Sequence, residues 1–126
     1  MTEDELTYKI RGAIFTVYNT LGSGLLESVY EAALCYELRK QGLRVANQVK
    51  IDVIYDGNIL PVDFRLDILV EDSVIIELKS VEELKPIHHK QLLTYLRVAN
   101  KHIGLLVNFS TDNINEDIYR KINGYR

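Results

Sequence analysis

The chain has only one cysteine, no apolar run approaching about 18 residues, and no linker, repeat or low-complexity segment. Cys35 alone cannot form an internal disulfide, which agrees with a reducing compartment, and its apolar helical surroundings favour a buried structural thiol over a nucleophile. The missing apolar run excludes a membrane-spanning segment, and the charged N-terminus MTEDELTYKIRG lacks a signal-peptide core, so we expect a cytoplasmic protein. The length of 126 residues predicts one domain over residues 1–126.

Positive charge is scarce, with 15 Lys and Arg against 18 Asp and Glu, a net charge of −3 and a pI near 5.6. This balance argues against a general nucleic-acid coat, which carries a basic surface. The charge is also divided: residues 60–84 hold seven acids, whereas residues 85–102 hold none and contain all three histidines. The division fits a metal site beside a phosphate-binding surface, but ordinary solvated faces explain it too, and charge alone favours them.

Hydrophobic periodicity and turn residues divide the chain into helices and strands. The first helix is predicted after a capping box at Thr2 and Glu5, and two more are predicted over about residues 25–41 and 86–100. A final helix is predicted around Ile114, Ile118 and Ile122, with Thr111 or Asp112 as its cap. Strands are predicted over residues 45–55, 59–70, 74–79 and 103–109, with a hairpin turn at Asp56-Gly57. The order ααβββαβα predicts an α/β fold, whose third and fourth strands run parallel if they pair directly.

The most informative segment is residues 62–70 followed by residues 74–79, where side chains alternate between two faces. A hairpin turning about Asp72 places Asp67 opposite Glu77 and Arg65 opposite Lys79. In this register the charged side chains share one face: Asp63, Arg65, Asp67, Glu77 and Lys79. The apolar side chains share the other: Phe64, Leu66, Ile68, Val70, Val74, Ile76 and Leu78. Because helices flank these strands in the sequence, both faces are candidates for burial, where charges are costly unless paired or bound to a metal.

Asp67 and Glu77 have the chemistry of a site for a hard cation such as Mg²⁺, which prefers oxygen ligands. Lys79, one pleat from Glu77, adds a fixed positive charge that orients a water or stabilises charge on a phosphate. A bound metal polarises the phosphate and acidifies a water, so these are the parts of metal-assisted phosphodiester hydrolysis. The structural alternative is that the same charges form cross-strand ion pairs on a wet surface.

Two helical segments add further candidate residues. Glu27 falls in the first turn of the second helix, where the helix dipole also favours an acid, and Tyr30 shares its face. On the basic helix, Gln91 and Tyr95 form a polar stripe with His88 and are candidates to reach substrate. The adjacent His88 and His89 point in different directions and make a poor pair of metal ligands, but His88 and the nearby Lys90 are candidates for phosphate contact.

The combination of motifs resembles the GxxExxY family of the PD-(D/E)xK nuclease superfamily. The residues that carry the resemblance are Gly24-x-x-Glu27-x-x-Tyr30, Asp67, Glu77-Leu78-Lys79-Ser80-Val81-Glu82-Glu83-Leu84 and Gln91-Leu92-Leu93-x-Tyr95-Leu96. The resemblance implies a restriction-endonuclease-like core, a mixed four-stranded central sheet flanked by helices. Leu66 stands where the motif is formally written with proline, and this departure alters no ligand.

The resemblance also implies roles for these residues. Asp67, Glu77 and the backbone carbonyl of Leu78 would hold the metal, and Lys79 would serve the nucleophilic water and the transition state. Glu27 would complete the metal shell through water. Gln91 corresponds to a glutamine that superfamily members often carry on the helix after the motif.

Two functions from different classes are consistent with these features. The first is a Mg²⁺- or Mn²⁺-dependent nuclease acting on DNA in preference to RNA, with substrate contacts from Tyr30, Tyr95, His88 and Lys90. Superfamily enzymes are often dimers, so a homodimer or a protein partner would supply sequence specificity that a small acidic chain lacks. The second is a catalytically silent module that keeps the fold and binds nucleic acid or protein.

Overall fold

The computed structural model describes residues 1–124 as a mixed five-stranded sheet with helices on both faces and a small separate hairpin. The helices are α1 (Glu3–Leu21), α2 (Glu27–Lys40) and α3 (Pro86–Val98). The strands are β1 (Val45–Lys50), β2 (Ile54–Tyr55), β3 (Asn58–Ile59), β4 (Arg65–Val70), β5 (Val74–Lys79), β6 (Ile103–Asn108) and β7 (Ile118–Ile122). No helix among the described residues is both long and apolar enough to cross a membrane.

The main sheet has the strand order β1-β4-β5-β6-β7, and only the β5–β6 pair is parallel. This pair is joined through α3, as the predicted element order requires for parallel neighbours. The restriction-endonuclease-like α/β architecture expected from the resemblance is therefore confirmed, with five strands in the main sheet instead of four.

Apolar side chains cover both faces of this sheet. On one face, α1 and α2 pack against the even-numbered residues Ile68, Val70, Val74, Ile76 and Leu78, together with Ile103, Leu105 and Val107 of β6. On the other face, α3 contributes Leu92 and Leu96, which pack with Leu69, Ile75 and Leu106. Both sides of β5 are thus sealed by helices, and a charged residue on this strand loses most of its contact with water.

The predicted final helix is wrong, because residues 118–122 form β7, antiparallel to β6. Ile114, Ile118 and Ile122 are spaced by four, which suits a helical stripe but also places Ile118 and Ile122 on one face of a strand. Only a short 3₁₀ turn, Ile114–Glu116, is helical, and its cap is Asn113 instead of Thr111 or Asp112. The strand forms because β6 would otherwise present an unpaired hydrogen-bonding edge.

The predicted strand over residues 59–70 is interrupted, and β3 and β4 are separate strands on either side of Pro61. Proline has no N–H for a ladder, and Val62 instead bonds locally to the carbonyl of Leu60 at 2.9 Å. The Asp56-Gly57 turn is confirmed, with Tyr55 paired to Asn58 across it. The strand predicted to reach Tyr55 likewise divides into β1 and β2.

The alternation of faces in β4 breaks near Asp67, which corrects the predicted assignment of Phe64 and Leu66. Both pack on the α3 side with Leu69, whereas Ile68 packs on the side of α1 and α2. The face that was predicted to be charged also carries the apolar side chains of Leu69 and Ile75, which α3 covers. The break coincides with a gap in the β1–β4 pairing, where neither Gln48 nor Asp67 has a partner between two regular pairs.

Candidate active site

Two carboxylates meet where the β4–β5 ladder opens. The last regular pair joins Ile68 to Ile76, so Arg65 is not paired with Lys79 as the hairpin register predicted. Beyond it, the N–H of Leu78 donates to Oδ2 of Asp67 at 2.9 Å, and the N–H of Asp67 donates to Oε1 of Glu77 at 3.3 Å. Carboxylate oxygens thus accept hydrogen bonds from the facing strand, and the predicted convergence of Asp67 and Glu77 is present.

The carboxylates are held without a positive partner. Glu77 is 6% exposed, and neither it nor Asp67 forms an ion pair among residues 1–124. Burial, followed by the neighbouring Asp67 carboxylate, raises the pKa of Glu77 to about 9. Burial also raises the pKa of Asp67, and the Leu78 N–H partly offsets that rise. The structural alternative, in which these residues form surface ion pairs, does not hold among the described residues, and the pair favours either a proton or a cation.

The donor set suits a hard cation that keeps part of its own hydration. No group of three His, Cys, Asp or Glu side chains in the described part of the chain converges to hold a metal ion. Mg²⁺ needs no such cage, since it is commonly bound by one or two carboxylates with water and substrate phosphate completing its octahedron. The buried Glu77 and the half-buried Asp67, which form no ion pair among residues 1–124, fit that requirement, and oxygen donors favour Mg²⁺ or Mn²⁺ over softer metals.

Lys79 lies at the end of β5 on the same face as Glu77, and its charge slightly opposes the rise in the pKa of Glu77. Its position is set by the neighbouring strand, because the N–H of Phe109 donates to the Lys79 carbonyl at 2.9 Å. The buried Asn108 holds the next turn, exchanging hydrogen bonds of 3.1 and 2.9 Å with the backbone of Val81. Sequence reasoning missed this role of Asn108, since an Asn at a strand end also suits a turn.

Glu27 begins α2 and reaches the chain immediately after Lys79. Its Oε1 accepts the N–H of Ser80 at 3.3 Å, and the Ser80 hydroxyl donates to the carbonyl of Leu25 at 2.6 Å. These bonds tie the start of α2 to the end of β5. Glu27 also borders a cleft of about 340 Å³ lined by Ser28, Glu31, Gln48, Asp67 and Leu78.

Tyr30 does not face this cleft. Its ring has no exposed surface and stacks on Phe109 with centroids 4.2 Å apart. Its hydroxyl donates to the carbonyl of Gly22 at 2.6 Å and accepts the N–H of Leu25 at 3.1 Å. The predicted substrate contact is therefore corrected: Tyr30 holds the loop between α1 and α2 in place.

Helix α3 brings Tyr95 to the carboxylate pair. Burial, then Glu77 and then Asp67, raise the pKa of Tyr95, which places its hydroxyl within their electrostatic reach. Its ring packs edge-on against Phe64 at 4.9 Å. Gln91, half-buried and one turn earlier on α3, lies on the same side of the helix.

His88 and Lys90 lie apart from the cleft at the start of α3. Nδ1 of His88 accepts the N–H of Lys85 at 3.0 Å and so caps the helix, which leaves Nε2 as its free ring nitrogen. Lys90 is exposed. Neither residue lines the cleft beside Asp67, so their contact with phosphate stays a prediction about a longer substrate.

Glu31 and Gln48 are two residues of the cleft that sequence reasoning missed. The carboxylate of Glu31 accepts the side-chain amide of Gln48 at 2.7 Å and that of Asn47 at 3.2 Å. Glu31 follows Glu27 by four residues, a spacing that places both on one helix face and was visible in the sequence. No local sequence signal marked Gln48, which lies in the cleft because β1 pairs with β4.

A family model described as the PD-(D/E)XK nuclease superfamily matches residues 4–121. Neither the search of curated proteins nor that of solved structures gives a significant match. The matched range contains α2, α3 and all of α1 except Glu3, together with Asp67 and Glu77.

Proposed function

The chain belongs to the PD-(D/E)XK nuclease superfamily, and from that premise we propose that it hydrolyses phosphodiester bonds in DNA with Mg²⁺ or Mn²⁺. The observation that carries the proposal is the Asp67–Glu77 pair. The buried Glu77 and half-buried Asp67 carboxylates accept backbone hydrogen bonds across an open stretch of the sheet and form no ion pair among the described residues. Such a pair costs folding free energy in the metal-free protein, and a divalent cation offsets that cost.

Each residue of the site has a distinct task. When bound, the cation would polarise the scissile phosphate and lower the pKa of the attacking water. Asp67 and Glu77 would hold it with the Leu78 carbonyl, and Glu27 ties the start of α2 to the backbone next to Lys79. Lys79 places a fixed positive charge beside Glu77, where it orients the nucleophile and stabilises the charge that develops on the phosphate. Tyr95 and Gln91, one turn apart on the same side of α3, would contact the substrate.

Calorimetric titration with Mn²⁺ and Mg²⁺ tests the proposal directly. We expect the wild type to bind a cation and both Asp67→Asn and Glu77→Gln to lose at least ~10-fold in affinity, as changes at metal sites commonly do. Asp52→Asn, an exposed acid outside the cleft, is the matched control and keeps wild-type affinity. Thermal melts establish that all variants are folded. No binding by the wild type, with or without a short oligonucleotide to supply phosphate, would contradict the proposal.

Substrate preference is tested after cation binding. Residues 1–124 form one candidate site of this kind and the net charge is −3, so nicking, trimming or cutting of branched DNA suits the protein better than a double-strand cut by one copy. A homodimer would supply two sites related by symmetry. Assays on matched linear, nicked and branched DNA, and on RNA of the same sequence, separate these substrates. Cation and DNA binding without turnover would instead favour the catalytically silent module.

A further inference from the structure

Glu31 is the second carboxylate that α2 directs toward the cleft. It lies one turn after Glu27, is half-buried, and lines the same cleft as Asp67 and Leu78. Its two oxygens accept amide hydrogen bonds from Asn47 and Gln48, at 3.2 and 2.7 Å. It forms no ion pair with a Lys or Arg among residues 1–124. The fold therefore holds the charge of Glu31 in place with neutral donors and leaves it uncompensated.

Gln48 reaches Glu31 from a strained backbone position. Its φ is 52°, a value that non-glycine residues adopt uncommonly and at a cost of about 1–3 kcal/mol. Gln48 lies across from Asp67, between the regular pairs Asn47–Ile68 and Val49–Leu66. The conformation that interrupts the β1–β4 ladder beside Asp67 is thus the one from which the Gln48 amide orients Glu31.

The two acids of α2 are used differently. Glu27 accepts the backbone N–H of Ser80, next to Lys79, and so anchors the helix. Glu31 has no backbone partner among the described residues; side-chain amides hold it where it lines the same cleft as Asp67. Its like charge beside Asp67 is unfavourable in the metal-free protein and becomes favourable when a cation is present.

We propose that Glu31, oriented by Gln48, strengthens cation binding at Asp67 and Glu77 from across the cleft, whereas Glu27 serves mainly to anchor α2 to β5. The inference rests on the proposed function, because it takes Asp67 and Glu77 as the cation site. Glu31 acts through its charge and not as a third direct ligand, since no three such side chains converge within residues 1–124.

Mn²⁺ titration calorimetry of the metal-free protein tests this assignment without measuring activity. We expect Glu31→Gln, which keeps the side-chain size and removes the charge, to weaken Mn²⁺ binding about 10-fold, and Glu31→Asp to restore most of it. Glu27→Gln should bind within about threefold of wild type, a smaller change than direct loss of a metal-site charge causes. Glu37→Gln, on the same helix and paired with Lys40, is the matched control.

Gln48→Gly tests whether the Gln48 amide supports cation binding in a variant that remains folded. Glycine accepts a positive φ without strain, so the variant should be at least as stable as wild type by urea unfolding. It should nevertheless bind Mn²⁺ more weakly, because Glu31 loses its shortest hydrogen bond.

The outcomes distinguish the two proposals. If Asp67→Asn abolishes binding while Glu31→Gln binds like Glu37→Gln, the inference about Glu31 is overturned and the proposed function stands. A larger loss in Glu27→Gln than in Glu31→Gln also overturns it. If Asp67→Asn binds Mn²⁺ as wild type does, the proposed function itself fails.

Discussion

The backbone N–H of Leu78 donates to Oδ2 of Asp67 at 2.9 Å, so a side chain of β4 occupies the position of a ladder acceptor for β5. This bond orients the Asp67 carboxylate toward Glu77 and leaves both acids between two packed layers. Strands β4 and β5 pair regularly at Ile68 and Ile76, and the regular pairing ends there, before Asp67 and Glu77.

Glu77 should make the metal-free protein less stable as pH rises. Its pKa is 4.5 in the unfolded chain and about 9 in the fold, because burial and Asp67 disfavour its charge. Its stabilising contribution is therefore fully present below about pH 4.5 and is lost as pH rises toward 9, since the unfolded chain releases the proton first. Urea unfolding in a chelator should show Glu77→Gln gaining stability relative to wild type from pH 5 to pH 8. Glu83→Gln, an exposed control, should show the same dependence of stability on pH as wild type. If Glu77→Gln also shows that dependence, the raised pKa of Glu77 is contradicted.

Lys79→Ala should abolish hydrolysis while leaving the cation site intact. Removing a charge that stabilises the transition state commonly lowers the rate by about a hundredfold or more. Mn²⁺ affinity should be equal or higher, because a positive charge beside Glu77 is gone. Cleavage assays and calorimetry on the same preparation check both statements, with Lys9→Ala on α1 as an exposed control. Lost cation binding in folded Lys79→Ala would mean that Lys79 supports the site's structure instead of its chemistry.

Tyr30→Phe should destabilise the fold without weakening cation binding per folded molecule. The hydroxyl bonds to the backbone of Gly22 and Leu25, and its removal leaves both groups unpaired in a part-buried position. We expect a loss of ~1–3 kcal/mol in the free energy of unfolding. Tyr36→Phe, on the same helix but 65% exposed, should change stability little. Normal stability in Tyr30→Phe together with weaker substrate binding would restore Tyr30 as a substrate contact.

Gly104→Ala should destabilise the packing of α3 on β6. An added Cβ would lie 2.9 Å from Cδ1 of Leu92 and 3.1 Å from the carbonyl oxygen of Ile75, so the packed Leu92 side chain must shift and the β5 backbone must move by a few tenths of an ångström. Overpacking of this kind commonly costs ~1–3 kcal/mol, measurable by urea unfolding. Gly12→Ala is the matched control, because a Cβ there meets nothing within 4 Å and should add ~0.5–1 kcal/mol to helix α1. Equal stability of the two variants would show that α3 shifts without cost.

Local pattern alone located the parts of the molecule whose structure depends on near neighbours. The N-cap at Thr2 accepts the N–H of Glu5, α3 begins at Pro86, and β5 spans Val74–Lys79, all as predicted. These features follow from capping, from proline's fixed φ and from side-chain alternation, which need only a few adjacent residues. The Glu-x-Lys spacing on one strand face likewise follows from alternation alone.

Long-range pairing accounts for what local pattern could not show. The spacing of Ile118 and Ile122 suits a helix or a strand, and the unpaired edge of β6 selects the strand. Tyr30 shares a helix face with Glu27, yet Phe109, far along the chain, buries its ring. Glu31 joins the cleft because β1 brings Gln48 beside it. In each case a weak local preference is outweighed by hydrogen bonds and apolar burial that exist only once distant segments have packed together.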